Sequence, residues 1–96
     1  MPTDSVVLLH GLGRKAASFA RMRSALMAEG YQVFALDYPS TRHDLPTLTA
    51  ALRPPIAEIT GATAGTVHFV GHSMGGLLAR SLIADARPDR LGRLVM

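Results

Sequence analysis

The sequence predicts an α/β protein with a mainly parallel sheet between two helical layers. Short runs of apolar, β-branched residues alternate along the chain with longer segments in which apolar residues recur every three or four positions. Strands that alternate with helices in this way form parallel β-α-β units. The 96 residues, 48% of them hydrophobic and 18% charged, suffice for one domain at most and are too apolar for a disordered chain.

A helical segment separates the first two predicted strands. Residues 5–10 form a continuous apolar run, which is typical of a strand buried on both faces. From Ala16 to Glu29 the apolar residues follow a helical period, and Gly30 stands where a left-handed C-cap is expected. Residues 31–36 predict the second strand.

The rest of the chain continues the alternation after a polar loop at residues 37–46. We expect the next helix to break at Pro54-Pro55 and to end at Gly61, because proline disfavours the helical conformation in the residue before it. Three further elements are predicted: a strand at 66–70, a helix at 73–86 that is buried on most sides, and the beginning of a fourth strand at 93–96.

The order of the strands follows from the handedness of their connections. Right-handed crossovers predict the order 2-1-3-4, with the first and third strands as neighbours where the winding reverses. Ligands bind open α/β sheets at the carboxyl ends of the strands at such a point. His10 and Ser73 follow these two strands, so the sequence predicts that they meet at one crevice.

Gly71-His72-Ser73-Met74-Gly75 has the G-x-S-x-G pattern of a nucleophile elbow, with the required strand before it and helix after it. Such a turn holds the serine hydroxyl above the sheet. The chain then reverses so sharply that Gly71 and Gly75 come too close together to carry side chains. The alternative is a serine N-cap after a glycine turn, which is common in α/β proteins.

A second glycine-containing segment, Leu8-Leu9-His10-Gly11-Leu12-Gly13, ends the first strand. A tetrahedral oxyanion requires preorganised donors, usually backbone amides. The amides of Leu12 and of Met74, the residue after the serine, are the candidates. The segment lacks the spacing of G-x-G-x-x-G and the Walker ending, which disfavours a phosphate loop. We expect supporting roles for His10, Gly11, Gly71, His72 and Gly75.

Composition excludes several other classes of protein. The absence of cysteine rules out disulfides and thiolate metal sites, and we expect neither a metal nor a cofactor. The net charge of +3 comes from scattered arginines without a basic stripe, which argues against nucleic-acid binding. No apolar run approaches the roughly 18 residues of a membrane span. No signal-peptide pattern is present, so a cytoplasmic location is the expectation.

These features together resemble the α/β-hydrolase superfamily and, within it, small bacterial lipase- and esterase-like members. The segments that carry the resemblance, residues 6–13, 31–39 and 67–77, span almost the whole chain in the expected order. The resemblance implies a Ser-Asp/Glu-His mechanism in which Ser73 attacks the carbonyl of a small-molecule or lipid ester. It also implies that the acid and the histidine follow the serine in the chain.

This sequence departs from the family at that point, because no histidine follows Ser73. Asp37, His43, His68, Asp85 and Asp89 make no credible triad partner. We therefore expect residues 1–96 to be the amino-terminal half of one α/β-hydrolase domain, truncated after the nucleophile helix and the start of the next strand, and inactive alone. Apolar surface beside the first helix would be exposed, and the fourth strand would be an open edge.

Two other functions remain open. Ser73 could transfer an acyl group to an alcohol, thiol or amine instead of to water. A non-catalytic binding or interaction module could also use the same fold. An acid after a later strand and a histidine in a final loop would favour catalysis, and their absence would favour the binding module.

Overall fold

The computed structural model describes residues 3–10, 19–38, 44–72, 74–85 and 90–95. Within these residues strands and helices alternate along the chain, as the sequence predicts. The strands are β1 (Ser5–Leu9), β2 (Gln32–Leu36), β3 (Val67–Gly71) and β4 (Leu91–Val95), and the helices are α1 (Ala20–Ala28), α2 (Leu45–Ala62) and α3 (Met74–Asp85).

The four strands form one parallel sheet in the order β2-β1-β3-β4. This confirms the order predicted from right-handed crossovers. Leu9, the last residue of β1, pairs with Leu36 of β2 on one side and with Gly71 of β3 on the other. Because the strands run in the same direction, the residues that follow β1 and β3 emerge side by side at the carboxyl edge of the sheet.

Both faces of the sheet are covered, which explains why β1 is apolar without alternation. Val7 and Leu9 pack into a cluster with residues of α2 and α3, whereas Val6 and Leu8 pack on the other face with Phe19, which precedes α1. All five side chains of β1 are almost completely buried. The predicted arrangement of a sheet between two helical layers is therefore confirmed.

The expected break in the second helix is wrong, because α2 runs through Pro54 and Pro55 without interruption. The two prolines lack the N–H groups that would bond to the carbonyls of Ala50 and Ala51. These alanines lie on the exposed side of the helix, where water can bond to the freed carbonyls. The opposite side is apolar and buried over its whole length, through Leu48, Leu52, Ile56 and Ile59. The free energy gained by burying this continuous apolar face exceeds the cost of losing two hydrogen bonds on the solvent-exposed side.

The first helix ends as predicted at a left-handed glycine. Gly30 has a φ of 94°, and its N–H donates to the carbonyl of Met27 at 3.0 Å while the N–H of Tyr31 donates to that of Leu26 at 3.2 Å. These two bonds form a Schellman motif, which turns the chain directly into β2. At its other end the described helix begins at Ala20, and residues 16–18 of the predicted helix lie outside the described part of the chain.

Helix α3 is less buried than the sequence predicts. It packs on the sheet and α2 through Leu78, Ala79 and Leu82, but Leu77, on the other side, is 56% exposed. The helix therefore packs on the sheet with one side, and its other side is exposed. The predicted exposure of apolar side chains near α1 is confirmed by Met22 and Met27 on the helix and by Val95 of β4. In the described residues β4 pairs with β3 alone and forms an edge of the sheet.

A polar cluster joins three strands at the amino edge of the sheet. The Asp4 carboxylate accepts a hydrogen bond from the Thr66 N–H at 2.8 Å and lies 3.1 Å from Nε2 of His68. The other ring nitrogen of His68, Nδ1, accepts the N–H of Arg93 at 3.0 Å, beside an irregularity in the pairing of β3 with β4. His68 is thus a half-buried histidine that connects strands through both ring nitrogens.

We expect the Asp4→Asn substitution to lower the thermal stability of the protein at neutral pH. The hydrogen bond from Thr66, and then the one from His68, holds the pKa of the Asp4 carboxyl below its usual value of 3.8. A carboxyl with a lowered pKa in the folded state contributes stability above its unfolded-state pKa, and this contribution disappears as the pH falls through the folded-state pKa.

The measurement is the melting temperature of both proteins from neutral pH down to about pH 3. The difference between wild type and variant should be largest at neutral pH and should shrink in acid. A difference that stays constant across this range would contradict a role for the ionised carboxylate.

Candidate functional site

The carboxyl edge of the sheet brings together the described residues of both predicted motifs. His72 donates its N–H to the carbonyl of Leu9 at 3.1 Å, so the turn after β3 is bonded to the end of β1. His10 follows at the same edge and is 1% exposed. Met74 begins α3 immediately beyond the turn. Ser73, Gly11 and Leu12 lie outside the residues that the structure describes.

Gly71 and Gly75 approach each other as closely as the motif predicts. A Cβ atom on Gly71 would lie 2.5 Å from the carbonyl carbon of Gly75. A Cβ atom on Gly75 would lie 2.7 Å from the carbonyl carbon of Leu9 and 2.8 Å from the carbonyl oxygen of His10. All of these neighbours are backbone atoms that cannot rotate away. The turn therefore requires glycine at both positions, and it seats the first turn of α3 directly against the end of β1.

The amino end of α3 faces this edge. The Gly75 N–H donates to the carbonyl of His72 at 2.9 Å and closes the turn. The aligned peptide dipoles of a helix favour negative charge at its amino end. Met74 is half-buried and packs against the larger core cluster, and the His72 side chain is exposed. An anion that develops next to the Met74 amide would be stabilised by the helix.

His10 makes a set of contacts with Tyr38 that sequence reasoning missed. The two rings are stacked, with centroids 3.9 Å apart and planes inclined by 13°. The Tyr38 hydroxyl donates to the carbonyl of His10, and the Tyr38 N–H donates to Nε2 of His10 at 3.2 Å. Nε2 accepts this bond, so the ring proton of a neutral His10 is on Nδ1. The signal that could have indicated these contacts is an aromatic residue directly after Asp37, close to the end of the second predicted strand.

The acidic and histidine residues of the described chain do not assemble into a second part of a triad at this edge. The Asp37 carboxylate is 3.9 Å from Nε2 of His10, and its side chain is 68% exposed. The pair formed by Asp4 and His68 lies at the amino edge, at the opposite end of the strands from His72. Both nitrogens of His68 are already engaged by Asp4 and Arg93, so it has no nitrogen available as a base for a substrate.

The described residues contain no group of three or more histidine, aspartate or glutamate side chains that could hold a metal ion. None of the helices in the described ranges is long and apolar enough to cross a membrane.

Comparison with known proteins identifies a family. A model of the alpha/beta hydrolase family matches residues 6–96. The chain is similar to a putative carbamate hydrolase of Variovorax paradoxus, with 33% identity over 97% of this chain and 37% of that protein. It is also similar to a probable esterase of Oryza sativa, with 32% identity over 93% of this chain and 36% of that protein.

A solved structure supports the same fold. The esterase of Exiguobacterium antarcticum superposes with a TM-score of 0.80 and 24% identity, over 98% of this chain and 37% of that one. The chain thus spans a little over a third of the length of these proteins. The matched part contains the two motifs at the carboxyl edge.

Proposed function

The chain belongs to the alpha/beta hydrolase family, and from that premise we propose that it is part of a serine hydrolase that cleaves carboxylic esters. Residues 1–96 form the amino-terminal part of the catalytic domain in this proposal. Ser73 is the nucleophile, and its substrate is a small-molecule or lipid ester. The probable esterase among the relatives supports this substrate class.

One observation carries the proposal: the glycine-dependent turn around position 73 is bonded to the end of β1. The Leu9 carbonyl accepts the His72 N–H, and Gly75 lies against the carbonyl of His10. This packing brings His72 and Met74, the residues on either side of position 73, to the edge of the sheet where β1 ends. A serine nucleophile and two oxyanion donors require this juxtaposition.

In the proposed reaction, Oγ of Ser73 attacks the ester carbonyl carbon and its proton passes to a histidine. The backbone amides of Leu12 and Met74 bond to the oxyanion of the tetrahedral intermediate. Collapse of the intermediate releases the alcohol, which takes the proton from the histidine, and leaves the acyl group on Ser73. Water then attacks the acyl-enzyme and releases the carboxylic acid.

The acid and the histidine come from residues of the full-length protein outside this segment. The support is that the chain corresponds to only 37% of one curated relative and 36% of another. The described residues bring no histidine with a carboxylate partner to the carboxyl edge other than His10, which is stacked on Tyr38 and bonded through Nε2. We propose that these partners enter the crevice from later strands.

The test is covalent labelling of the full-length protein with a fluorophosphonate probe, followed by mass spectrometry of its peptides. We expect a single adduct on the peptide that contains Ser73, because only an activated serine reacts at neutral pH. The products of a p-nitrophenyl ester incubated in water should be the free acid and the phenol. An adduct on a different serine, or none, would contradict the proposal. Acyl transfer only to an added alcohol or amine would favour a transferase.

A further inference from the structure

The buried His10 is the point at which three segments of the crevice meet. It follows β1, its ring is stacked on Tyr38 of the segment after β2, and its carbonyl oxygen lies next to Gly75 in the first turn of α3. The same carbonyl accepts the hydrogen bond of the Tyr38 hydroxyl. One peptide group is therefore held from two sides, by a tyrosine and by a helix.

We propose that Tyr38 is a positioning residue for the oxyanion hole, which fixes the His10 peptide so that the two amide donors keep their separation. This inference rests on the proposed function, in which the amides of Leu12 and Met74 bind the oxyanion. Tyr38 touches neither the substrate nor the reacting atoms in this role. It acts through His10.

The Tyr38 hydroxyl acts on the peptide group that links His10 to the next residue. The carbonyl of His10 and the N–H of the following residue belong to one rigid plane. A hydrogen bond to that carbonyl consequently restrains the orientation of the peptide group that precedes the proposed Leu12 donor. The Tyr38 ring also stacks on the His10 ring, and the Tyr38 N–H donates to Nε2 of His10. These contacts hold the His10 side chain in place and so restrain its backbone further.

The His10 carbonyl also affects the distance between the two proposed donors. The Met74 amide belongs to the turn that contains Gly75, and Gly75 lies against the His10 carbonyl. A displacement of that carbonyl would move one donor relative to the other. Oxyanion donors act through their preorganisation, and removal of one donor costs about 10²–10³-fold in kcat. Loosening of one donor should cost less than its removal, because the amide remains present.

The Tyr38 hydroxyl is suited to this task at any pH at which an esterase works. Burial raises the pKa of Tyr38 to about 12, so the hydroxyl keeps its proton. Tyr31, the other tyrosine of the chain, is half-buried and makes an edge contact with His68 at the amino edge of the sheet. It offers a matched control for loss of a tyrosine hydroxyl.

The experiment compares Tyr38→Phe with Tyr31→Phe in the full-length protein, with a p-nitrophenyl ester as substrate. Tyr38→Phe keeps the stacked ring and removes only the hydroxyl. We expect its kcat to fall about 10- to 100-fold with little change in KM, because the lost interaction acts in the transition state. Affinity for a trifluoromethyl ketone, which forms the tetrahedral adduct, should fall with kcat/KM. Tyr31→Phe should leave both quantities unchanged.

The outcomes separate this inference from the proposed function. Failure of the wild-type protein to react with the fluorophosphonate would contradict the proposed function, and the positioning role would fall with it. Normal labelling of the wild type, together with an unchanged kcat in Tyr38→Phe or an effect on KM alone, would overturn only the role of Tyr38. If Tyr38→Phe only weakened the fold, its melting temperature would fall without a proportional change in ketone affinity. That result would also overturn the positioning role.

A second measurement applies if Tyr38→Phe does not fold. A fluorinated tyrosine at position 38 retains the hydroxyl and the ring but loses its proton at lower pH than tyrosine. We expect kcat to fall as this hydroxyl ionises, because the donor to the His10 carbonyl is then lost. The same residue at position 31 should leave the pH profile unchanged. Identical profiles for the two positions would overturn the proposal.

Discussion

Replacement of Ser73 by alanine is expected to lower the kcat of the full-length protein for ester hydrolysis by about 10⁶-fold, the scale observed for loss of a triad serine. The variant cannot form the acyl-enzyme, because it lacks the attacking oxygen. A residual rate of about 10³–10⁴-fold over water should persist from the oxyanion hole and substrate binding. The measurement is the initial rate with a p-nitrophenyl ester, with melting temperatures recorded for both proteins.

Ser24→Ala is the matched control, because Ser24 is exposed on α1, on the opposite layer of the fold from α3. Its kcat and melting temperature should equal those of the wild type. If Ser73→Ala retained wild-type turnover in a folded protein, the nucleophile would have to be a different residue and the proposed function would be wrong.

Replacement of Gly75 by alanine is expected to destabilise the protein by about 1–3 kcal/mol, the cost of forcing atoms into a well-packed interior. The added methyl group would lie 2.8 Å from the His10 oxygen, and its nearest neighbours are backbone atoms of β1. The helix must therefore move away from the strand. A displacement of about 1 Å at the site can cost 10²-fold in rate, so turnover should fall as well.

Gly61→Ala provides the comparison for Gly75→Ala. Gly61 lies within α2, is exposed, and would have no atom within 4 Å of an added Cβ. Alanine should stabilise this helix by up to about 1 kcal/mol, because it restricts the unfolded chain and favours the helical conformation. Denaturant unfolding and ester turnover measure both effects. Wild-type stability and activity in Gly75→Ala would show that the turn tolerates a side chain and would contradict the close approach.

The sequence was sufficient to predict those features that depend on local pattern or on chain handedness. The unbroken apolar run of β1 predicts burial on both faces, and both helical layers are present. The strand order follows from right-handed crossovers, and Gly71 and Gly75 pack against backbone as their spacing in the motif indicates. The first and last of these signals are contained in a few neighbouring residues, and the strand order needs only the general handedness of β-α-β connections.

Features that depend on distant partners or on solvent exposure could not be predicted. Tyr38 and His10 are 28 positions apart, and Asp4 and His68 are 64 apart. No local pattern indicates which of several polar or aromatic side chains will meet across the sheet. The continuity of α2 could not be predicted either. A proline leaves the carbonyl four residues earlier without its helical hydrogen bond, and the cost depends on whether water can reach that carbonyl. For Pro54 and Pro55 the carbonyls lie on the exposed side of the helix.

The central position of β1 imposes a delay on the synthesis of this protein. Val67, the first residue of β3, is translated 58 positions after Leu9, the last residue of β1. At about 5–20 residues per second, the most apolar strand therefore waits roughly 3–12 s for its second neighbour to leave the ribosome. Contacts of such high sequence separation form slowly even after translation. During this interval one edge of this hydrophobic strand has no partner, and chaperones that bind such segments would act on residues 5–9 first.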